Sequence, residues 1–380
     1  MRSAAPPNST TTVHVVERMI PGGIETLVLD MVHELPGRHI ILSLGGTVDE
    51  LIAGWPVLER ERGHFEALNR SPGLSLKVIP EVRARLLAHK ADTVYLHHIG
   101  PLLYGGIAGR LARVKTIVHV EHDAWHYDEG RRWPLARSLF ALVRPRRVAV
   151  STDIAERMKA RDPAAAITVI PPGIDMRRYL PTDKVAARKR LGLSSDLLLI
   201  GTTGRLVPVK GQSVLLEAFA LLRRNSRRLD GRDVGLVIIG DGPERRALEA
   251  TARDLGVAHV THFLGLRADV PDILPALDVF CLPSFNEGLP RSLLEAQAAG
   301  VPVVSSDVGG CKHAVCPMTG RLVPPNDPVA LAHALAEILS GPDCTPNTRA
   351  FVEDRYSLAT TLAAFARVVQ PENLKCSMPS

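Results

Sequence analysis

Short apolar runs alternate with longer amphipathic stretches along most of the chain. VHVVERMI (13–20), HIILSLGG (39–46), DTVYLHH (92–98) and RRVAVST (146–152) are brief and rich in β-branched residues, which predicts buried strands. Between them, IETLVLDMVHEL (24–35), VRARLLAHK (82–90), LLYGGIAGRLARV (102–114) and DIAERMKAR (153–161) space their apolar positions by three and four, which predicts helices. LKVIP (76–80) reads as a further strand, and KTIVHVEHDAWHYDEG (115–130) as a strand running into a histidine-rich loop. Residues 47–75 fit neither period. The alternation resumes after Asp196, with strands in 197–206, 234–240, 260–265, 279–284 and 301–307. Helices are expected at 213–224, 244–256, 328–340 and 355–370, with a short proline-broken one at 270–278. Two strand–helix series, separated by the Pro/Gly-rich ITVIPPGIDMRRY (167–179), imply an α/β chain of two doubly wound domains facing a central cleft.

The expected division is a disordered 1–12, an N-terminal domain 13–178, a linker 179–196 and a C-terminal domain 197–354. The helix 355–370 is expected to cross back to the first domain, and 371–380 is a tail. A length of 380 residues supports two cores. The net charge of +6 is concentrated in the first half and admits anionic partners. Five cysteines, Cys281, Cys311, Cys316, Cys344 and Cys376, sit late in the chain without a paired zinc-site spacing. They suit a reducing compartment better than a disulfide framework. No leader pattern and no run near the roughly 18 apolar residues of a spanning helix is seen, so a cytoplasmic protein is expected, peripheral at most to the inner membrane face.

The densest chemistry lies in NEGLPRSLLEAQAAG, Asn286–Gly300. Pro290 suits the first helical position, and Gly300 a left-handed C-cap. Glu287 then lies in a strand-to-helix loop and Glu295 about one and a half turns into the helix. A helix start, here Gly288, Leu289 and Pro290, offers free N–H groups and a positive dipole end to a diphosphate. Two carboxylates beside such a seat can accept hydroxyls, a sugar's at Glu287 and a ribose's at Glu295. Upstream, GRLVPVKG places Arg205 and Lys210 five residues apart in one loop, where both can converge on the same diphosphate. GDGPER (240–245) carries Gly-x-Gly without its third glycine, a weak dinucleotide signal. PGGIE (21–25) makes a Gly-Gly turn, Gly22 and Gly23, that lets a substrate approach the backbone.

The paired glutamates, followed by AAGVPVVSSDVGG (298–310), resemble the donor motif of retaining GT-B glycosyltransferases, family four, group 1. The segment VIPPGID (169–175) is similar to their interdomain linker. The resemblance implies that Arg205 and Lys210 bind the donor diphosphate and support the departing charge. It implies that Gly22 and Gly23 face the donor phosphate, and that backbone near Leu266 and Arg267 contacts the base. It also implies a histidine near the sugar's anomeric centre. His122, at a strand end, is the match, and His119 on the same strand is its rival. Clustered histidines (His97, His98, His119, His122, His126) can mean metal, but the resemblance implies no metal and no cofactor. For His97 and His98, packing or loop hydrogen bonding suffices. His313 stands where many relatives carry an acid.

The reading is therefore a metal-independent hexosyl transfer with retention, from a nucleotide-diphosphate sugar to a glycan or lipid-linked glycan acceptor. The alternatives are a sugar-nucleotide 2-epimerase of the same fold and a non-catalytic nucleotide-sugar-binding subunit. Nucleic acid is not an expected partner. RRWPLARSLFALVRPRR (131–147) holds six arginines and no acid. Arg131, Arg132, Arg144, Arg146 and Arg147, with Trp133, could meet an anionic membrane surface. An ordinary amphipathic helix explains the same stretch.

Overall fold

The computed structural model describes residues 10–123, 127, 133–225, 228–229, 231–341 and 345–370. The chain divides into two compact units, Met1–Pro171 with Thr360–Ser380, and Pro172–Ala359. The first contains β1 (Thr11–Val16), β2 (Arg38–Ser43), β3 (Phe65–Ala67), β4 (Thr93–His97), β5 (Thr116–Glu121), β6 (Arg146–Ala149) and β7 (Ile167–Val169). They form one parallel sheet in the order β3-β2-β1-β4-β5-β6-β7. The order reverses between β1 and β4, the switch point where doubly wound sheets open a crevice beyond their strand ends. All residues of β1, β4 and the last five of β5 are buried, as parallel strands covered on both faces require. Polar residues among them, His14, His97 and His119, need partners inside the protein.

Several boundaries differ from the sequence pattern, each for a local reason. β1 begins at Thr11, inside the stretch expected to be disordered, and ends at Val16. LKVIP is not a strand, because Val78–Ala88 is a helix. Pro80 falls in its first turn, where proline is tolerated, and Val78, Val82 and Leu86 form a buried stripe at helical spacing. The unplaced 47–75 contains a helix, Val48–Gly54, started by a capping box between Thr47 and Glu50. A 3₁₀ turn and β3 follow, and Leu51, Leu58 and Phe65 join one core with Val16, Met19, Val28 and Ile41. The small-residue helix carries a π turn at Leu102–Gly106. There a Cβ on Gly105 would fall 2.6 Å from the Leu96 side chain, so glycine permits the close packing on β4.

The second unit holds β8 (Leu198–Thr203), β9 (Arg228–Leu229), β10 (Arg232–Ile239), β11 (Thr261–Gly265), β12 (Val279–Leu282), β13 (Val303–Ser306) and β14 (Arg321–Val323). The parallel order is β11-β10-β8-β12-β13-β14, with β9 antiparallel on β10. β8 and β12 are neighbours at the switch point, so the loops that leave their C-terminal ends lie side by side. The stretch read as a linker, 179–196, includes a helix, Lys184–Arg190, capped by Asp183. Its Arg188 is buried and donates to the carbonyls of Ala276 (2.9 Å) and Ser195 (2.8 Å) and to Asp278. The helix expected at 355–370 is Leu358–Val368, and a further helix, Thr345–Arg355, precedes it, the two separated where Ile174 bridges Ser357. Leu358–Val368 rests on the first unit: Thr361 Oγ1 donates to Pro171 O (2.8 Å), and the Tyr95 hydroxyl to Phe365 O (3.0 Å). Cys281, Cys311 and Cys316 are buried free thiols, whereas Cys344 and Cys376 lie outside the described residues. Among the described residues no helix is long and apolar enough to cross a membrane.

Candidate active site

In the second unit, β8 delivers Arg205 and Lys210, and β12 delivers Glu287. Gly211 lets the loops meet. Its φ is +64°, and a Cβ there would lie 2.1 Å from Pro283 O. Phe285 N–H then donates to Val209 O (2.8 Å). The result is an ion pair between Lys210 Nζ and Glu287 Oε1 at 2.6 Å, with Ser284 Oγ donating to the same oxygen at 2.6 Å. The Glu287 side chain is 10% exposed and that of Lys210 23%. A charge this enclosed needs a partner, and either side chain left alone would be costly. Arg205 is exposed, its carbonyl held by Gln212 Nε2 (3.0 Å).

GDG (240–242) serves this loop. Gly204 N–H donates to Ile239 O, Leu206 N–H to Asp241 O, and Glu244 N–H to Leu206 O, each at 3.0 Å. A Cβ on Gly240 would sit 1.9 Å from Gly204 O, and one on Gly242 2.4 Å from Leu206 O. The Gly-x-Gly is thus explained by backbone contact that fixes the Arg205 loop. Gly309 and Gly310 do the same for the glutamate loop: added Cβ atoms would lie 1.9 Å from Glu287 O and Gly288 O respectively.

The helix that follows Glu287 runs Arg291–Ala298, so Pro290 is its N-cap and not its first residue. Pro290 keeps an extended ψ of 110° and offers no side-chain cap. Gly288, Leu289 and Pro290 are buried, and Gly300, at φ +82°, ends the helix. Glu295 lies near Arg291 (Nε to Oε1, 3.8 Å) and hydrogen-bonds Tyr179. Burial, then the charge of Glu295, pushes the Tyr179 phenol well above its ordinary pKa. Arg291 Nη1 also donates to Gly173 O (2.9 Å), and Arg349 donates to Tyr179 O (2.6 Å), Met176 O (3.0 Å) and Ala298 O. Two arginines thus stitch the Gly173–Tyr179 segment to the glutamate helix. Arg349 carried no sequence signal, and Tyr179 only its place in PPGIDMRRY. Leu266 is exposed, and Arg267 is engaged by Asp269 at 2.6 and 2.7 Å.

In the first unit, Gly22 is the extended N-cap of the helix Gly23–Glu34. A Cβ on Gly22 would meet Glu25 Oε2 at 2.4 Å. His122 follows β5 and ends a row of hydrogen-bonded imidazoles: His39 Nδ1 to His14 Nε2 at 3.0 Å, His14 Nδ1 to His97 Nε2 at 3.3 Å, and His97 Nδ1 to His122 Nε2 at 3.2 Å. Burial lowers the pKa of His14, His97 and His122 well below the usual imidazole value, and that of His39 as well, so the row is neutral. Packing or loop hydrogen bonding, expected for His97, leaves out its place between two imidazoles, and His14 and His39 were not singled out at all. His119 is fully buried, its ring edge-on to Phe140 and Nε2 3.2 Å from Glu121. His98 uses both ring nitrogens, on Asp123 Oδ2 (2.7 Å) and on Ile99 N–H (3.0 Å). Burial opposes its charge, but Asp123, Glu121 and Glu17 outweigh this and push its pKa up to about 9; the Ile99 N–H works the other way by asking for a lone pair. Potential ligand atoms of His98, Glu121 and Asp123 lie within 4.8 Å of one another, and both nitrogens of His98 are already engaged in hydrogen bonds. His126 lies outside the described residues.

The basic stretch is only partly as expected. Arg146 donates to Val368 O and Gln370 O (2.9 Å for the latter), and Arg147 pairs with Asp162 (2.6 Å) and covers the Phe140 ring at 4.1 Å. Both belong to the protein's own packing. Arg137 and Arg144 are exposed beside exposed Leu135 and Leu142, and Trp133 is half-buried on Tyr127. Arg131 and Arg132 lie outside the described residues.

Comparison with known proteins agrees with this architecture. Residues 183–354 match the family described as glycosyl transferases group 1, and residues 21–178 the one described as glycosyltransferase family 4. The D-inositol 3-phosphate glycosyltransferase of Actinosynnema mirum is 35% identical over 356 residues, covering 88% of this chain and 78% of that protein. A GDP-mannose-dependent alpha-(1-6)-phosphatidylinositol monomannoside mannosyltransferase of Mycobacterium tuberculosis is 33% identical over 289 residues, covering 70% of this chain and 71% of its own. Anabaena Alr3699/HepE, solved in complex with UDP and glucose, superposes with a TM-score of 0.77 at 24% identity, over 95% of this chain and 99% of that one. At that identity the likeness speaks for the fold alone. The chain belongs to the GT-B glycosyltransferases of family 4, group 1, and is a glycosyltransferase built from two Rossmann-like domains.

Proposed function

We propose that the enzyme transfers a hexose-type sugar, with retention at the anomeric carbon, from a nucleotide-diphosphate sugar to an acceptor hydroxyl, without a metal ion. The observation that carries this reading is the Lys210–Glu287 pair at 2.6 Å, set beside the exposed Arg205 and the start of the helix Arg291–Ala298. Two cations and a helix N-terminus supply positive charge to neutralise the negative charge that a departing diphosphate develops, which is work a metal does elsewhere. Glu287 accepts hydroxyls of the sugar and Glu295 those of the ribose. Backbone near Leu266 and Arg267 meets the base, and Gly22 and Gly23 leave room for the phosphates. His122 positions the sugar. The relatives named for inositol 3-phosphate and for GDP-mannose-dependent transfer to a phosphatidylinositol mannoside favour a polyol or glycolipid acceptor. The proposed setting is bacterial glycolipid or polysaccharide assembly at the cytoplasmic side. The exposed Arg137, Arg144, Leu135 and Leu142 support peripheral contact with an anionic surface.

A product-configuration assay tests the reading. Purified protein with chelator, a panel of UDP, GDP and ADP sugars and an inositol phosphate or glycolipid acceptor should give a glycoside of unchanged anomeric configuration by NMR. An inverted product, or turnover that requires added divalent metal, would reject it.

A further inference from the structure

The row of four histidines has a direction, and its far end sets it. His39 Nε2 lies 3.3 Å from the carbonyl of Pro36, a group that can only accept. His39 must therefore carry its proton on Nε2. A neutral imidazole has one N–H and one lone pair, so His39 Nδ1 is an acceptor. His14 Nε2, 3.0 Å away, has to donate to it, which leaves the lone pair of His14 on Nδ1. His97 Nε2 donates there in turn at 3.3 Å, and His97 Nδ1 then accepts from His122 Nε2 at 3.2 Å. By the end of the row His122 has spent its one proton on Nε2. Its lone pair stands on Nδ1, an atom with no protein partner among the described residues, on a ring that is only partly buried.

The rings are held for this. His14 stacks on Tyr95 at 5.2 Å and 7°, on His39 at 5.3 Å and on His97 at 5.6 Å. The four residues come from β2, β1 and β4 and from the residue after β5, and His14, His39 and His97 are almost completely buried. Aliphatic side chains would fill those strand positions without burying polar atoms. A row that satisfies every buried nitrogen is a network whose members depend on one another.

We propose that His39, His14 and His97 are positioning residues that lock His122 in the Nε2–H tautomer, so that it meets the substrate only as a hydrogen-bond acceptor at Nδ1. The inference rests on the reading of His122 as a substrate contact and adds the chemistry of its partner. The group facing it has to be a donor, such as a sugar or acceptor hydroxyl, and an ionised phosphate oxygen is disfavoured.

Long-range proton–nitrogen NMR of the full chain with ¹⁵N-labelled histidine reads each tautomer directly. At neutral pH His14, His39, His97 and His122 should all show a protonated Nε2 and a bare Nδ1. His39→Leu removes the anchor, so mixed tautomers should appear at His97 and His122. kcat should then fall about tenfold with donor KM little changed, by analogy with the lower range for outer partners of metal-ligating histidines. His39→Gln can still donate to Pro36 O and accept from His14, and should recover the tautomers and most of the rate. A proton on Nδ1 of His97 or His122 in the parent protein, or parental kcat in a folded His39→Leu, would overturn the inference. His122→Ala reports separately on the underlying reading: unimpaired transfer there removes His122 from the site, whatever the tautomers are.

Discussion

The two units handle polar groups at their strand ends in opposite ways. In Pro172–Ala359 the site is charged: Lys210 pairs with Glu287, and exposed Arg205 shares the loop of Lys210. In the other unit four imidazoles cross the sheet and burial keeps them neutral. The charged site can answer charge that develops on a leaving group. The neutral row cannot, but it can fix which nitrogen carries a proton. Under the proposed function, charge neutralisation falls to the second unit and a tautomer-fixed acceptor to the first.

The contrast is broken most sharply at Lys210. Lys210→Ala should cost about 2–4 kcal/mol of transition-state stabilisation, seen as a fall in kcat/KM with a verified acceptor, and Arg205→Ala should fall in the same range. Near-parental turnover in both variants would remove the charged site from the chemistry. The next effect is on the scaffold. Gly309→Ala places a Cβ at φ +49° and against Glu287 O, so denaturant unfolding should show a loss of about 1–3 kcal/mol. An unchanged midpoint would mean that the glutamate loop yields easily.

The two glutamates separate next. Glu295→Gln should weaken free nucleotide by about 1–2 kcal/mol in calorimetry, and Glu287→Gln should spare it while slowing transfer. Equal loss in both would undo the assignment of ribose and sugar. Glu295 is also bonded to Tyr179, so the variant's unfolding midpoint is needed as a control. The smallest effect concerns the exposed face of Trp133–Val143. Changing Arg137 and Arg144 to Gln should reduce pelleting with anionic vesicles by about 1 kcal/mol per arginine, and salt should do the same to the parent protein. Equal pelleting with neutral vesicles would sink the membrane contact.

The charged site was legible because its parts are contiguous in the chain. Arg205 and Lys210 share one loop, Glu287 and Glu295 one strand–helix junction, and glycines 211, 309 and 310 mark where backbones touch. The histidine row was not legible, because each member sits on or just after a different strand and only the register of β2, β1, β4 and β5 brings them together. Short apolar runs also misled: LKVIP has a strand's composition, but its valine belongs to a helical stripe that appears only with Val82 and Leu86. Thr47 and Glu50 did announce a helix start, in a stretch whose weak period hid it. Arg349 closes on carbonyls far away in sequence, a contact that no spacing encodes.

The central claim is that protein cations, and not a metal, hold the donor diphosphate. The direct measurement is calorimetric titration of nucleoside diphosphates into the parent protein and Lys210→Ala, both with chelator. One diphosphate should bind the parent without metal, and the variant should bind it at least about tenfold more weakly, a difference of about 1.4 kcal/mol. Equal affinity in the two proteins, or binding that appears only when divalent metal is restored, would contradict the account.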